Sequence, residues 1–388
     1  MRNRHPELLI PASSLEVLKT AVMFGADAVY IGGEAFGLRA KAKNFSMEDM
    51  KEGVQFAHEH GARVHVTVNI LAHNDDLEGA AEYLKELKEI GPDALIIADP
   101  AIFMLAKEIC PEIERHVSTQ ANNTNYGTFN FWWNLGAKRV VTARELSLKE
   151  IREIRAHIPA EMEIESFIHG AMCISYSGRC LLSNFFTGRD ANQGACTHPC
   201  RWKYSVVEET RPGEYMPVYE NERGTYIFNS KDLCMIEHIP EMIDAGIDSF
   251  KIEGRMKTAL YVATVARTYR KAIDDYLEDP KKYETNMPWY RDQISNCTYR
   301  QFTTGFYFGK PGDESQIYDS NTYIKEYTYL GIIGGIKYGM YRIEQRNKFS
   351  VGETVEIMKP DGQNVEVTVE KIVDEDGQEQ ESAPHPKQ

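Results

Sequence analysis

The chain has 388 residues, of which 42% are hydrophobic, and a formal net charge of −14. This length and composition can bury a large core, so we expect one large domain and a smaller one. The negative charge excludes a protein that coats nucleic acid through bulk electrostatics, although it leaves room for a local basic face. Neither the first twenty residues nor any later stretch holds an apolar run typical of a signal peptide or a membrane span, so we expect a cytoplasmic protein with no membrane partner.

From the start of the chain to about residue 278, short β-rich apolar runs alternate with longer segments of helical period. Eight such units favour an α/β fold of the (β/α)8 TIM-like barrel type over an open doubly wound sheet. No early G-x-G-x-x-G follows the first run, which argues further against a dinucleotide fold. The strands are predicted at Glu7–Pro11, Ala28–Gly32, Val64–Asn69, Ala94–Ala98, His116–Gln120, Arg139–Ala143, Ile164–Gly170 and Ser249–Glu253.

The alternation is interrupted at residues 170–226, where a passage rich in Cys, Gly and Asn replaces the expected helix. A long excursion inside a compact domain is typical of a functional segment. After the barrel (1–278), residues 279–322 predict a linker that packs against it. Residues 323–375 alternate short strands with tight turns and predict a small C-terminal β-barrel, and the polar tail 376–388 predicts disorder.

Four of the seven cysteines lie in this excursion with the spacing C-x6-C-x15-C-x3-C: Cys173, Cys180, Cys196 and Cys200. Thiolates bind soft or borderline metals, and four that converge form a zinc site or an iron–sulfur site. Structural zinc sites usually show paired C-x2-C knuckles, so the looser spacing favours a larger cluster. Zinc, and buried cysteines that bind no metal, stay open as alternatives.

The same passage resembles the peptidase U32 family. The run ESFIHGAMCISYSGRCLLS closely matches the family signature, and the resemblance continues in ELLIPASSLE, FGLRAKAKNF, VTVN, STQANNTN, ARELSLKEI, NSKDL and KIEGRMKTALYV. These segments span nearly the whole chain, and many members also carry a C-terminal β-barrel. The resemblance therefore covers both predicted domains.

The family takes its name from collagenase-like proteases, yet other members are oxygen-independent hydroxylases of RNA or quinones. The branch that this chain resembles most forms 5-hydroxyuridine at the wobble position, position 34, of tRNA and depends on prephenate. The resemblance implies a [4Fe–4S] cluster on the four matching cysteines, prephenate as co-substrate and tRNA as partner. Some members also work with a paralogous protein subunit.

Polar residues at or beyond the ends of the predicted strands should meet at the C-terminal rim, where barrel enzymes gather their active-site groups. A dicarboxylate such as prephenate would need cations there, and arginine offers bidentate pairing. For each cation, a buried ion pair with Glu145 or Glu253 is an equally open interpretation. The candidates are Arg39, Asn69, Gln120, Asn122, Arg144, Glu145, His169, Lys251, Glu253 and Arg255.

RNA recognition at such a rim requires the target base to leave its stack. Aromatic residues interleaved with cations in the excursion are candidates for base stacking and phosphate contacts, with core packing as the alternative. These residues are Phe185, Phe186, Arg189, Arg201, Trp202 and Lys203.

Two other functions stay open. A U32-type peptidase could use Cys173 with His169 as its base, although the sequence has no G-x-S-x-G and no H-E-x-x-H. A non-catalytic RNA-binding factor with structural zinc is the third candidate.

Overall fold

The computed structural model describes residues 5–33, 44–173, 175–193, 195–202, 205–206, 216–217, 229–297, 300–311, 315–317 and 327–384. The first strands are β1 Glu7–Pro11, β2 Ala28–Gly32, β3 Arg63–Val68, β4 Ala94–Ile97, β5 Glu114–Val117, β6 Arg139–Val141 and β7 Glu163–Ala171. They are followed by β8 Ser205–Val206, β9 Met216–Pro217, β10 Asn229–Ser230, β11 Asp232–Cys234 and β12 Ser249–Ile252.

Strands β1 to β7 and β12 form a closed barrel of eight parallel strands, in which β12 pairs with both β1 and β7. The predicted (β/α)8 fold is therefore confirmed. Strand β11 adds to the outside of this sheet, antiparallel to β7.

Helices surround the barrel: α1 Leu15–Met23, α2 Met47–Glu59, α3 Asn74–Ile90, α4 Pro100–Ile109, α5 Tyr126–Leu135, α6 Leu148–Ala156, α7 Leu182–Thr187, α8 Ile239–Asp244, α9 Ala259–Glu278 and α10 Pro280–Ser295. Several begin at a side chain that accepts the first free backbone N–H groups, such as Ser46 before α2 and Thr258 before α9. Among the described helices, none combines the length and the apolar character that a membrane span requires.

The main hydrophobic core lies between the outer face of the barrel and its helices. A second, small apolar cluster of inward-facing residues consists of Leu9, Ala28, Tyr30 and Ile96. The remaining interior positions are largely polar or charged, which places ionisable groups along the barrel axis.

A register irregularity separates β7 from β12 near the rim. Lys251 pairs with Phe167, whereas the next residue, Ile252, pairs with His169. One residue of β7 thus has no register partner on β12, as in a β-bulge, and the side chains beyond it switch faces of the strand. Gly170 follows with φ +109°, and a Cβ there would lie 2.5 Å from the Glu253 carbonyl oxygen, so only glycine fits this approach.

The region after the barrel contains regular secondary structure. The expected linker contains α10, which begins directly after α9 with Asp279 as its N-cap. The later strands are β13 Phe302–Thr303, β14 Gln316–Ile317, β15 Gly331–Lys337, β16 Met340–Gln345, β17 Phe349–Ser350, β18 Thr354–Ile357, β19 Val365–Thr368, β20 Ile372–Val373, β21 Glu379–Gln380 and β22 Ser382–Ala383.

In the described C-terminal region, β15 to β22 form antiparallel pairs that do not close into the predicted barrel. The tail expected to be disordered contains β21 and β22, which pair with β20 and β17. Backbone pairing with earlier strands orders this polar segment, so composition alone was a poor guide. Residues 385–388 lie outside the described residues.

Candidate functional site

Charged side chains fill the part of the barrel interior that lies away from the C-terminal rim. Arg139 on β6 is 2% exposed and donates hydrogen bonds to Glu7, Glu163 and Glu165. Lys251 on β12 donates to Glu165 at 2.6 Å. Burial lowers the pKa of Lys251, although the carboxylate opposes this shift. Lys251 thus lies in the kind of buried ion pair that the sequence left open, with a β7 carboxylate as partner.

Two histidines beside this network were missed by the sequence analysis. His65 and His116 are fully buried, and burial lowers the pKa of each well below its usual value. Among the described residues, only these two and Glu165 bring three potential metal-ligand atoms within 4.8 Å of one another. However, both oxygens of Glu165 already accept from Arg139 or Lys251. The sequence did contain a signal for these residues. Charged residues and histidines occur at positions of the predicted strands whose side chains point into the barrel.

The structure brings polar groups from several strands together at the C-terminal rim. The Nδ2 of Asn69, after β3, donates to Gln120 Oε1 at 3.0 Å, after β5. Arg255, after β12, donates from Nη1 to Thr67 Oγ1 at 2.7 Å. A Cβ at Gly32 would lie 2.4 Å from that Nη1, so the glycine makes room for the guanidinium.

Arg144, after β6, connects the rim to the first cysteine. Its Nη1 donates to the Ala171 carbonyl at 2.8 Å, and its Nη2 donates to Cys173 Sγ at 3.2 Å and Ser177 Oγ at 3.0 Å. Burial would lower the pKa of Arg144, but negative charge at Cys173 and Glu253 raises it above its usual value. The guanidinium therefore places a fixed positive charge beside a potential metal-binding thiolate.

The excursion is docked across the rim by further hydrogen bonds. Asn122, in the left-handed region with φ 53°, donates from Nδ2 to the Ser177 carbonyl at 2.9 Å and accepts from Arg179 Nε at 2.7 Å. On another side, the backbone N–H of Leu71 donates to the Asn192 carbonyl at 3.4 Å. The excursion thus contacts the loops that follow β3, β5 and β6.

The four predicted ligands lie on this docked segment. Cys173 and Cys196 are exposed, and Cys180 and Cys200 are half-buried. Since the only trio of described ligand atoms within 4.8 Å is the histidine–glutamate group, no three of these sulfurs approach that closely. A tetrahedral zinc ion with Zn–S bonds of about 2.3 Å would hold its sulfurs roughly 3.8 Å apart. The four described cysteines are therefore not gathered as the ligands of a bound zinc ion are.

Two other cysteines differ in environment. Cys110 and Cys297 are buried, and each thiol donates to a backbone carbonyl of its own helical turn. Burial raises the pKa of Cys110 to about 11 and that of Cys297 to about 12. These are core thiols of low reactivity.

His169 faces away from the rim. Its ring packs against Tyr261, Tyr269 and Phe302 outside the barrel, and its Nδ1 lies 3.3 Å from the Tyr269 hydroxyl. Burial, with a contribution from the positive charge of Lys257, lowers the pKa of His169 to about 3. The β-bulge causes this orientation, because it turns the ring toward α9.

Two further rim candidates are Glu253 and Arg39. Glu253 lies near Arg144, and its backbone carbonyl accepts a hydrogen bond from the Tyr261 hydroxyl. Arg39 lies outside the described residues. A cavity of about 560 Å³, lined by residues such as Cys234 and Phe302, lies beside β11 and β13 and not at the rim.

A closed parallel barrel, with a four-cysteine excursion hydrogen-bonded across its C-terminal end, defines the class of protein: a (β/α)8-barrel protein whose candidate site is built at the rim. The model of peptidase family U32 matches residues 13–317, and that of the U32 C-terminal domain matches residues 325–388. The chain belongs to the peptidase U32 family, as its motifs predicted.

Curated relatives are similar over most of the chain. The "tRNA hydroxylation protein P1" of Bacillus subtilis (strain 168) is 44% identical over 389 residues, covering 99% of this chain and 91% of the relative. The "tRNA hydroxylation protein P" of Escherichia coli (strain K12) is 39% identical, covering 98% and 91%. The E. coli "23S rRNA 5-hydroxycytidine C2501 synthase" is 41% identical over 273 residues, covering 70% of this chain and 40% of that protein.

Proposed function

We propose that this chain is an RNA hydroxylase that forms 5-hydroxyuridine at wobble position 34 of tRNA, without using molecular oxygen. The observation that carries the proposal is the docking of the four-cysteine excursion on the barrel rim through Arg144 and Asn122. Family membership and near-full-length similarity to proteins named for tRNA hydroxylation support it. The relative named for rRNA hydroxycytidine synthesis supports the broader class of RNA hydroxylation.

We infer a [4Fe–4S] cluster held by Cys173, Cys180, Cys196 and Cys200. The donor set fits, because four thiols lie on one segment that is hydrogen-bonded to the rim, and cysteine thiolates are the ligands that hold iron–sulfur clusters. Arg144 would offset part of the negative charge of the thiolates. A bound cluster would supply redox or Lewis-acid chemistry at the edge of the rim.

Prephenate as co-substrate needs partners for its two carboxylates. Arg144 and Arg255 are rim cations that donate to a thiol and to a hydroxyl group, whereas Lys251 is paired with the Glu165 carboxylate inside the barrel. Asn69, which donates to Gln120 at the same rim, adds an amide that can orient a polar group. This chain's contribution is thus to bind and orient the small molecule and the extruded uridine beside the cysteines.

The peptidase interpretation has less support. A thiol peptidase needs an imidazole beside its nucleophile, but the hydrogen-bond partner of Cys173 is Arg144, and His169 packs against α9. A buried imidazole with a pKa of about 3 is also a poor general base at neutral pH.

Nucleoside analysis of tRNA tests the proposal. In cells that lack the gene and any redundant enzyme, the wild-type chain should restore 5-hydroxyuridine derivatives and Cys173→Ser should not. Cys297→Ser, which alters a buried core thiol, is the matched control and should restore them. Anaerobically purified protein should contain iron and acid-labile sulfide. If the wild-type chain restores no 5-hydroxyuridine derivatives in these cells, the proposed substrate is refuted. Purified protein that contains zinc without iron would refute the proposed cluster.

A further inference from the structure

The orientation of α7 is unusual for a surface helix. Such helices normally bury their apolar side chains and expose their polar ones. In α7, Ser183 is fully buried, whereas Phe185 is 82% exposed and Phe186 is 43% exposed. Leu181, just before the helix, is 68% exposed. The helix therefore presents its aromatic side to solvent.

Hydrogen bonds between hydroxyl groups hold α7 in this orientation. Ser183 Oγ lies 3.0 Å from Thr197 Oγ1 and also accepts from the Thr197 backbone N–H at 3.0 Å. Thr187 Oγ1 lies 3.2 Å from the same threonine hydroxyl. These hydrogen bonds connect the polar side of the helix to Thr197, in the segment between Cys196 and Cys200. The exposure of the aromatic side is thus built into the packing of the excursion.

The exposed rings form a cluster beside the cysteines. The ring centroids of Phe185 and Phe186 are 5.2 Å apart, and Trp202, which is 45% exposed, lies 6.2 Å from Phe186. We call these three residues the aromatic platform. It belongs to the same docked segment as the predicted cluster ligands, so it lies at the rim end of the barrel.

The sequence segment that carries the platform has a charge opposite to that of the whole chain. Residues 175–204 contain four cations (Arg179, Arg189, Arg201 and Lys203) against one anion (Asp190), within a chain of net charge −14. Arg189 follows α7 directly and is exposed. Aromatic faces interleaved with cations suit a single-stranded polyanion with unpaired bases, which stack on the rings while the phosphates meet the cations.

We propose that the aromatic platform binds unpaired bases of an RNA loop next to the nucleotide that enters the rim pocket. Phe185 supplies the main stacking surface, and Arg189 contacts the adjacent phosphate. The inference rests on the proposed RNA hydroxylation and deepens it, because it names the residues that hold the loop bases beside the target nucleotide. A second copy of the chain is the competing occupant of an exposed apolar surface.

Equilibrium binding of labelled RNA to the anaerobically purified full chain tests the proposal. The probes are the anticodon stem-loop of a tRNA with uridine at the wobble position and a fully paired RNA of equal length. Phe185→Ala should weaken stem-loop binding by roughly 5- to 150-fold, the range for loss of one base–aromatic stack. It should leave duplex binding unchanged. Phe185→Trp should retain stem-loop binding, which excludes a mere folding defect.

A matched control and a charge variant sharpen the test. Phe131→Ala alters a ring that is 54% exposed on α5 and should leave both affinities unchanged. Arg189→Gln should reduce the slope of log affinity against log salt by about one, whereas Phe185→Ala should not alter the slope.

Three results would overturn the platform: unchanged stem-loop affinity of Phe185→Ala, equal losses on stem-loop and duplex, or a wild-type dimer that Phe185→Ala dissociates. Its failure is distinguishable from failure of the proposed function. If the wild-type chain restores hydroxylated nucleosides in cells but Phe185→Ala binds normally, only the platform is wrong. If the wild-type chain binds the loop through Phe185 but restores no hydroxylation, only the proposed reaction is wrong.

Discussion

Replacing Arg139 with methionine should strongly destabilise the barrel. The guanidinium is 2% exposed and bonds Glu165 at 3.0 Å, Glu163 at 2.7 Å and also Glu7. Methionine fills a similar length but leaves three carboxylates facing one another, of which Glu165 is fully buried. Removing one partner of a buried ion pair costs about 3–5 kcal/mol. Urea denaturation followed by circular dichroism should show this loss in the free energy of unfolding.

Arg152→Met is the matched control, because it removes the same charge from an exposed pair with Asp244. Such surface pairs contribute about 0–1 kcal/mol. If Arg139→Met is destabilised by no more than Arg152→Met, the interior network does not hold the barrel together and the reasoning is refuted.

Acidification gives an independent check on the same network. Burial alone would raise the pKa of Glu7, but Arg139 and neighbouring cations outweigh it and hold the pKa well below the usual 4.5. The ionised carboxylate therefore contributes stability that is complete above about pH 4.5 and is lost as the pH falls toward the folded-state pKa. The stability difference between wild type and Arg139→Met should shrink over that range.

Three further predictions follow from the site. The ring of His169 should stay neutral from about pH 5 to 8 in NMR titration, because its pKa is lowered to about 3; a midpoint near 6.5 would contradict its burial. Gly170→Ala should cost about 1–3 kcal/mol in thermal or urea unfolding, because a Cβ would meet a carbonyl at 2.5 Å. Gly61→Ala, with φ +76° and open space, should cost less. Arg144→Met should release the excursion and speed its cleavage in limited proteolysis, whereas cleavage at the wild-type rate would show that the other rim contacts suffice.

Much of the fold could be predicted because its signals are local. All eight barrel strands lie at the predicted runs, within a few residues at their ends. Both the alternation of β-rich runs with segments of helical period and the cysteine spacing depend on residues that are close together in the sequence. The fold class and the excursion followed from these patterns. The C-terminal strands were also detected, but their closure into a barrel was not borne out by the described pairs.

The sequence by itself determined the barrel, the position of the excursion and the four cysteines, since these depend on periodicity and spacing along the chain. The tertiary structure alone decided which way the candidate side chains face. A β-bulge that strict alternation does not encode turns His169 toward α9. Lys251 pairs with Glu165 across the barrel, 86 residues away in sequence. Such choices depend on contacts between distant segments, and they place Asn69, Arg144 and Arg255 at the rim.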